Sequence, residues 1–564
     1  MPVYPDDVPE LSDERLVLRA LREDDLPRVI EFANDPGSRA SIALPAPYGD
    51  AEARAFLDTV RAGWESSSDR IWAVELDGEW AGTVSLNARV PGTAEIGYAA
   101  HPDARGRGVA AGAARLAIAY AFDDLGLRVL QWRATRGNWG SRRVGWALGF
   151  VVDGIAPASR VDALGEVADT WYGHLRAGEP VAPRNQWFEP AVLTDDSVRL
   201  RPWREDDAPQ DDGDASLVRF MHGSAPTSDG FAEWLTIRKE RMASGEGVFW
   251  CIADATDDRP LGGIQLFRMN LPMHRETAMV AYWLQPHARS RGAVGRALEL
   301  LVTHAFSPLE EGGLGLRRIG AFVDAGNLGS QRVLHAAGFR QIGAAHSALS
   351  YDDGSTADEQ VYELLATDDR DAQRTAAIPV PTLRSARLVL REWGENDAPS
   401  AEPEGDPALV GSMGIDPRPP AASYERWLAR LRADALSGDA VRWCVTDAES
   451  GRVLGAVSVR DLGGPLRSGT VAYWLLPDAR GNGVTAEALK AVVDHAFSTD
   501  GLALERLAAE TVSDNHASML TLASAGFRQW GQDHQSFVTA DGRPHDSAYF
   551  ELLASEYAEG HETT

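Results

Sequence analysis

Three stretches of the chain place arginine and glycine between an apolar run and a helical one: HPDARGRGVAAGAARLAIAYAF at 101–122, QPHARSRGAVGRALELLVTHAF at 285–306 and LPDARGNGVTAEALKAVVDHAF at 476–497. A strand that turns through glycine into a helix leaves several backbone N–H groups without partners and aims them at one spot, where the helix dipole also favours negative charge. Such a turn suits a diphosphate, and glycine at 106 and 108 lets the backbone approach it with no Cβ in the way. Beyond each turn an Asn-x-x-Ser follows, at Asn138 and Ser141, Asn327 and Ser330, and Asn515 and Ser518. That spacing suits a helix N-cap. Each copy closes on an acidic-x-x-Tyr strand: Asp169 with Tyr172, Glu359 with Tyr362, and Asp546 with Tyr549.

Two kinds of phosphate turn use glycine in this way. GRGVAA (106–111) and GNGVTA (481–486) fit the dinucleotide fingerprint G-x-G-x-x-A of a nicotinamide dehydrogenase, but the second copy reads SRGAVG and lacks the first glycine. That fingerprint also wants an acidic residue at a strand end about 20 residues on. GLRVLQWRAT offers none.

The elements that must position these residues recur three times in one order. A β-like start (RLVLRALREDD, SVRLRPWREDD, RLVLREWGEND) ends in acidic residues expected to cap a first helix. A Trp-containing strand (IWAVEL, FWCIAD, RWCVTD) and a strand after glycine follow, then AEIGYAAHP, AMVAYWLQP or GTVAYWLLP leading into the turn. The helix after each turn carries an apolar stripe, Ala114, Ala117, Ile118 and Ala121 in the first copy, which must pack on a sheet. The intervals between copies are domain-sized. They predict three domains over 1–180, 187–368 and 382–558, with linkers near GEPVAPRNQ (178–186) and DAQRTAAIPVP (371–381), both rich in residues that favour loops.

Composition narrows the classes further. The chain of 564 residues is 44% hydrophobic and 24% charged, with a formal net charge of −28. Such a charge disfavours nucleic acid and favours cationic partners. With no charged-then-apolar leader and no long apolar run, the expectation is a cytoplasmic protein without a membrane span. The two cysteines, Cys251 and Cys444, each follow a tryptophan in an apolar strand, which predicts buried free thiols. The sequence offers no metal site and says nothing of oligomeric state.

The combination of Arg-x-x-Gly-x-Ala after IGYAAHP, then Asn-x-x-Ser and Gly-Phe, resembles the GNAT superfamily of acetyl-CoA-dependent N-acetyltransferases, and within it the RimJ/RimL-like branch. The resemblance covers nearly the whole chain in three copies. It implies an α/β (α+β) fold, each domain a mixed, largely antiparallel sheet flanked by helices, and acetyl-CoA as cosubstrate. It also implies that the turns hold the CoA pyrophosphate through backbone N–H groups while the preceding strand end holds the pantetheine arm. The counterparts here are Ala100, Arg105, Gly106, Arg107, Gly108, Val109 and Ala110; Leu284, Arg289, Ser290, Arg291, Gly292, Ala293 and Val294; and Leu475, Arg480, Gly481, Asn482, Gly483, Val484 and Thr485.

By the same resemblance Asn138, Asn327 and Asn515 lie beside the pantetheine, and Ser141, Ser330 and Ser518 supply the proton for the departing thiolate. Glu95 is the implied base of the first copy; Met279 and Thr470 at its aligned positions cannot accept a proton, and Glu510 is the substitute in the third. Small Ala110 against bulkier Val294 and Thr485 makes the first domain the expected main site. The expected reaction is acetyl transfer to a primary amine of a peptide, a protein N-terminus or a small cationic molecule. The alternative is a non-catalytic scaffold that binds CoA or a protein partner.

Overall fold

The computed structural model describes the chain apart from residues 1–2, 43, 162–166, 210–213, 222–224, 353, 375–377, 414, 463–465, 539–541 and 563–564, so part of the second expected linker lies outside the described residues. It forms two compact units, Met1–Phe188 with Thr236–Gly245, and Glu189–Leu235 with Glu246–Thr564. The first carries one eight-stranded sheet and the second carries two.

Each sheet has the same construction. Six strands lie side by side in chain order, and the last two exchange places so that the final hairpin strand meets the sixth. Every pairing is antiparallel except one, between the strand that enters the glycine turn and the strand that follows its helix. The expectation of mixed, largely antiparallel sheets with flanking helices is borne out.

The cores follow from the apolar patterns. Trp72, Trp250 and Trp443, from the Trp-containing strands, are fully buried. The helix after each turn (Val109–Asp123, Ala293–Phe306, Val484–Phe497) buries the expected stripe, with Ala114, Ala117 and Ala121, or Leu298, Leu301 and Ala305, or Leu489, Val492 and Val493 fully enclosed. Cys251 and Cys444 are buried free thiols as expected, and burial pushes the Cys444 thiol up to about 12.

The acidic residues after the first long strand cap as expected, Asp25, Asp207 and Asp397 each accepting the backbone N–H three residues back, of Arg22, Arg204 or Gly394, and they have a second role. Asp25, Asp207 and Asp397 each take two hydrogen bonds from the strand arginine six residues earlier, Arg19, Arg201 and Arg391, at 2.6–2.8 Å. The Arg19 and Arg201 pairs are buried. There the loss of one partner strands a charge and costs about 3–5 kcal/mol. Only the first copy has an α-helix directly after this motif among the described residues, Leu26–Asn34.

Candidate active site

The parallel pairing that marks each sheet is only three residues long. Thr93, Ala94 and Glu95 pair with Val129, Leu130 and Gln131, and then the two strands, Thr93–Ala100 and Val129–Thr135, part company. Each keeps its outer neighbour to the end, since Ala100 still pairs with Gly82 and Thr135 with Thr170. The register is the same in the second copy (Thr277 to Met279 with Arg318 to Gly320) and the third (Ser468 to Thr470 with Arg506 to Ala508). Each sheet is therefore split from that point, with strand-edge N–H and C=O groups facing the opening. In the first domain the split opens into a cavity of about 730 Å³ lined by residues 95–100, the glycine turn, Trp132–Thr135, Asn138 and Ser141. In the third a cavity of about 700 Å³ is lined by the matching elements.

The turn closes one end. Gly108, Gly292 and Gly483 stand at the helix N-terminus with φ of 79°, 76° and 73°. The first helical bonds run from Gly112 to Gly108, Arg296 to Gly292 and Glu487 to Gly483, so the N–H groups ahead of them have no helical acceptor. Gly106 and Gly481 also have positive φ, and Ser290 adopts the same conformation at φ 60°. The second copy thus keeps the turn without its glycine, at a backbone cost of roughly 1–2 kcal/mol. A Cβ on Gly106 or Gly108 would meet no protein atom within 4 Å, which leaves open space for a ligand. Ala110 and Thr485 line their cavities, whereas Val294 is buried.

The leading arginine of each turn has a partner that the sequence reading missed. Arg105 Nη2 donates to Asp35 Oδ2 at 2.8 Å and to Ser38 Oγ at 2.6 Å. Arg289 donates to Asp214 at 2.7 Å, and Arg480 pairs with Asp406. Each aspartate also accepts a backbone N–H at the start of a short helix, from Ser38, Leu217 or Leu409. The arginine hydrogen bond holds the Asp35 and Asp406 carboxyls below their ordinary range. The signal was present in NDPGS, GDASL and GDPAL, one such motif per copy.

The serines sit where a proton can be passed. Asn138, Asn327 and Asn515 cap the following helices as expected, each accepting the N–H of its serine at 3.1 Å. The Ser141 hydroxyl lies 3.1 Å from the Tyr98 hydroxyl, Ser330 lies 2.8 Å from Tyr282, and Ser518 lies 2.8 Å from Tyr473. These tyrosines, also missed, recur as the Y of IGYAA, VAYWL and VAYWL on the split strand. Burial pushes the hydroxyls of Tyr98 and Tyr282 far above the ordinary tyrosine range and raises that of Tyr473. All three therefore stay protonated at neutral pH. In the first domain Trp132 Nε1 donates to the Tyr98 hydroxyl at 2.8 Å; Ala321 and Ala509 hold that register in the others.

The expected bases are placed differently in each copy. Glu95 lines the first cavity, but its Oε2 accepts from Arg89 at 3.0 Å and lies 3.5 Å from Arg133. Met279 lies at the same register in the second domain, so close over Gly320 that a Cβ there would be 2.8 Å from its sulfur. Asp324, at the end of the opposite strand, is taken by the Tyr351 hydroxyl, and Arg219 lies over the Tyr351 ring at 4.8 Å. Glu510 lines the third cavity. The other strand face also differs: Ala99 of the first domain is replaced by Trp283 and Trp474, which stack on Trp203 and Trp393. No group of three or more His, Cys, Asp or Glu side chains suits a metal, and no helix is long and apolar enough to cross a membrane, among the described residues.

The chain is similar to known proteins along most of its length. The family model described as the acetyltransferase (GNAT) domain matches residues 15–151, 197–340 and 387–528. The Bacillus subtilis protein YjcK, described as a probable N-acetyltransferase, is 34% identical over 143 residues, which cover 25% of this chain and 75% of YjcK. The uncharacterized N-acetyltransferase p20 of Bacillus licheniformis is 27% identical over 178 residues, 31% of this chain and 98% of p20. Among solved structures, Mycobacterium smegmatis RimJ in complex with CoA-disulfide is 23% identical, with 31% of this chain and 88% of that one covered and a TM-score of 0.26.

Proposed function

The chain belongs to the acetyltransferase (GNAT) family and is an N-acetyltransferase that uses acetyl-CoA, and we propose that its first domain carries most of the transfer, to a primary amine of a peptide, a protein N-terminus or a small molecule. The observation that carries this reading is the Tyr98–Ser141 pair on the wall of a split that ends at an open glycine turn. The turn N–H groups from Gly106 to Ala111 would hold the pyrophosphate, and the free strand edge at Gly97 to Ala100 would take the pantetheine amides. Acetyl-CoA supplies the activated thioester. Ser141 holds a proton for the departing sulfur, and Tyr98, kept protonated by burial and held in place by the bond from Trp132 Nε1, orients that hydroxyl. Glu95, steadied by Arg89 and Arg133, receives the proton that the acceptor amine loses.

The second domain is read as non-catalytic. Met279 stands at the Glu95 position and cannot accept a proton, and Asp324 at the strand end is bonded to the Tyr351 hydroxyl. Thiol release from acetyl-CoA with a panel of amines tests the proposal: release that depends on the amine supports an enzyme, and CoA binding without release from any amine supports the scaffold. The boundaries 1–180, 187–368 and 382–558 belong to the same reading, with first cleavage expected between them on limited proteolysis.

A further inference from the structure

The first and third domains differ in charge at positions that strand register makes equivalent. In the first, Glu95 and Arg133 flank the point where the strands separate, and Arg89 bonds the same Glu95 oxygen. In the third, the pairing of Thr470 with Ala508 puts Thr470 at the Glu95 position and Glu510 at the Arg133 position. Glu510 is exposed, lines the cavity, and has no ion-pair or side-chain hydrogen-bond partner among the described residues. Asp514 and His545 line the same cavity, with His545 Nδ1 3.3 Å from Asp514 Oδ2. Gly137 and Ala168 hold those two positions in the first domain. The arginine lining the third cavity, Arg480, is already occupied by Asp406.

A carboxylate in a concave site without a countercharge attracts a cation, and a guanidinium at the same place repels one. Resting on the reading that both cavities take acetyl-CoA, we infer that the third domain accepts an amine carrying a second cationic centre, held by Glu510 and assisted by Asp514, and that the first domain discriminates against that acceptor through Arg133. The chain then serves two acceptor classes with one donor.

The test uses the full chain and two probes that differ by one ammonium group, butylamine and 1,4-diaminobutane. With the first domain silenced by Tyr98→Phe and Ser141→Ala, Glu510→Gln is expected to lower the diamine-to-monoamine ratio of kcat/KM by about 10-fold or more, mainly through KM for the diamine. Asp514→Asn lowers the ratio less. With the third domain silenced by Tyr473→Phe and Ser518→Ala, Glu510→Gln leaves the ratio where it was. Calorimetric binding of 1,4-diaminobutane to the CoA-saturated chain should weaken by a similar factor in Glu510→Gln. A ratio and a binding constant both unchanged by Glu510→Gln, or no diamine binding to the wild-type chain, overturn the inference. Absence of thiol release with every amine, alongside diamine binding that Glu510→Gln still weakens, would instead count against acetyl transfer and leave the cation site standing.

Discussion

The first and third domains share a turn, an Asn-capped serine and a buried tyrosine over cavities of about 730 and 700 Å³, yet the side chains that face an acceptor are different. Glu95 bonded to arginines on one side stands against a Glu510 with no partner among the described residues, beside the Asp514–His545 pair, on the other. What persists is set by backbone demands: φ at Gly108 and Gly483, the cap at Asn138 and Asn515, the three-residue parallel pairing. What diverges points into open space, where no fold requirement constrains it. The second domain extends the lesson, because it keeps every backbone feature, even through Ser290 at positive φ, while Met279 replaces the carboxylate and Tyr351 bonds Asp324.

The comparison can be broken first at the serine and tyrosine pairs. Tyr98→Phe with Ser141→Ala should lower kcat for monoamine acetylation by about 100-fold or more, while Tyr282→Phe with Ser330→Ala leaves it unchanged, as steady-state thiol release would show. Equal losses from both would mean that the second domain is catalytic. Glu95→Gln should reduce kcat by roughly 10-fold or more with CoA affinity intact, because only proton removal is lost. A variant that instead lost CoA binding in calorimetry would make Glu95 structural.

The clamp between the turn and the capped helix should have a smaller effect. Asp35→Asn is expected to raise KM for acetyl-CoA a few-fold and to lower Tm slightly. The hydrogen bond from Arg105 lowers the Asp35 pKa, so its stabilisation is fully present above the ordinary carboxylate value of 3.8. It is lost as pH falls through the lower folded value. The wild-type and Asp35→Asn melting curves should therefore differ at neutral pH and converge below that range; a constant difference would exclude the carboxylate as the cause. Smallest of all, Ser290→Gly should stabilise the second domain by about 0.5–1 kcal/mol through relief of its left-handed backbone, with no gain in turnover.

Much of this was legible in the sequence because it is written three times. The turn, the caps and the buried helix stripe follow from local residue preferences, and recurrence separates them from chance. The tyrosines at 98, 282 and 473 were equally repeated, but a tyrosine in an apolar strand reads as core until the serine facing it across the fold is known. The pairs Arg105 with Asp35 and Glu95 with Arg133 join residues from separate elements, and only the register of strands and the placing of a helix start brings them together. The acidic runs after the first strand were legible as caps, but their second partner, an arginine six residues earlier, gives no periodic signal.

If the first domain does most of the transfer, thiol release from acetyl-CoA with butylamine will separate Gly108→Val from Gly292→Val and Gly483→Val. The three glycines share nearly the same left-handed φ. The folding cost of a β-branched side chain is therefore alike at each, and the contrast reports function. Gly108→Val should nearly abolish turnover, since the branched side chain fills the space that a phosphate needs, while the other two keep most of it. Full activity in Gly108→Val with loss in Gly292→Val or Gly483→Val would place catalysis in a different domain.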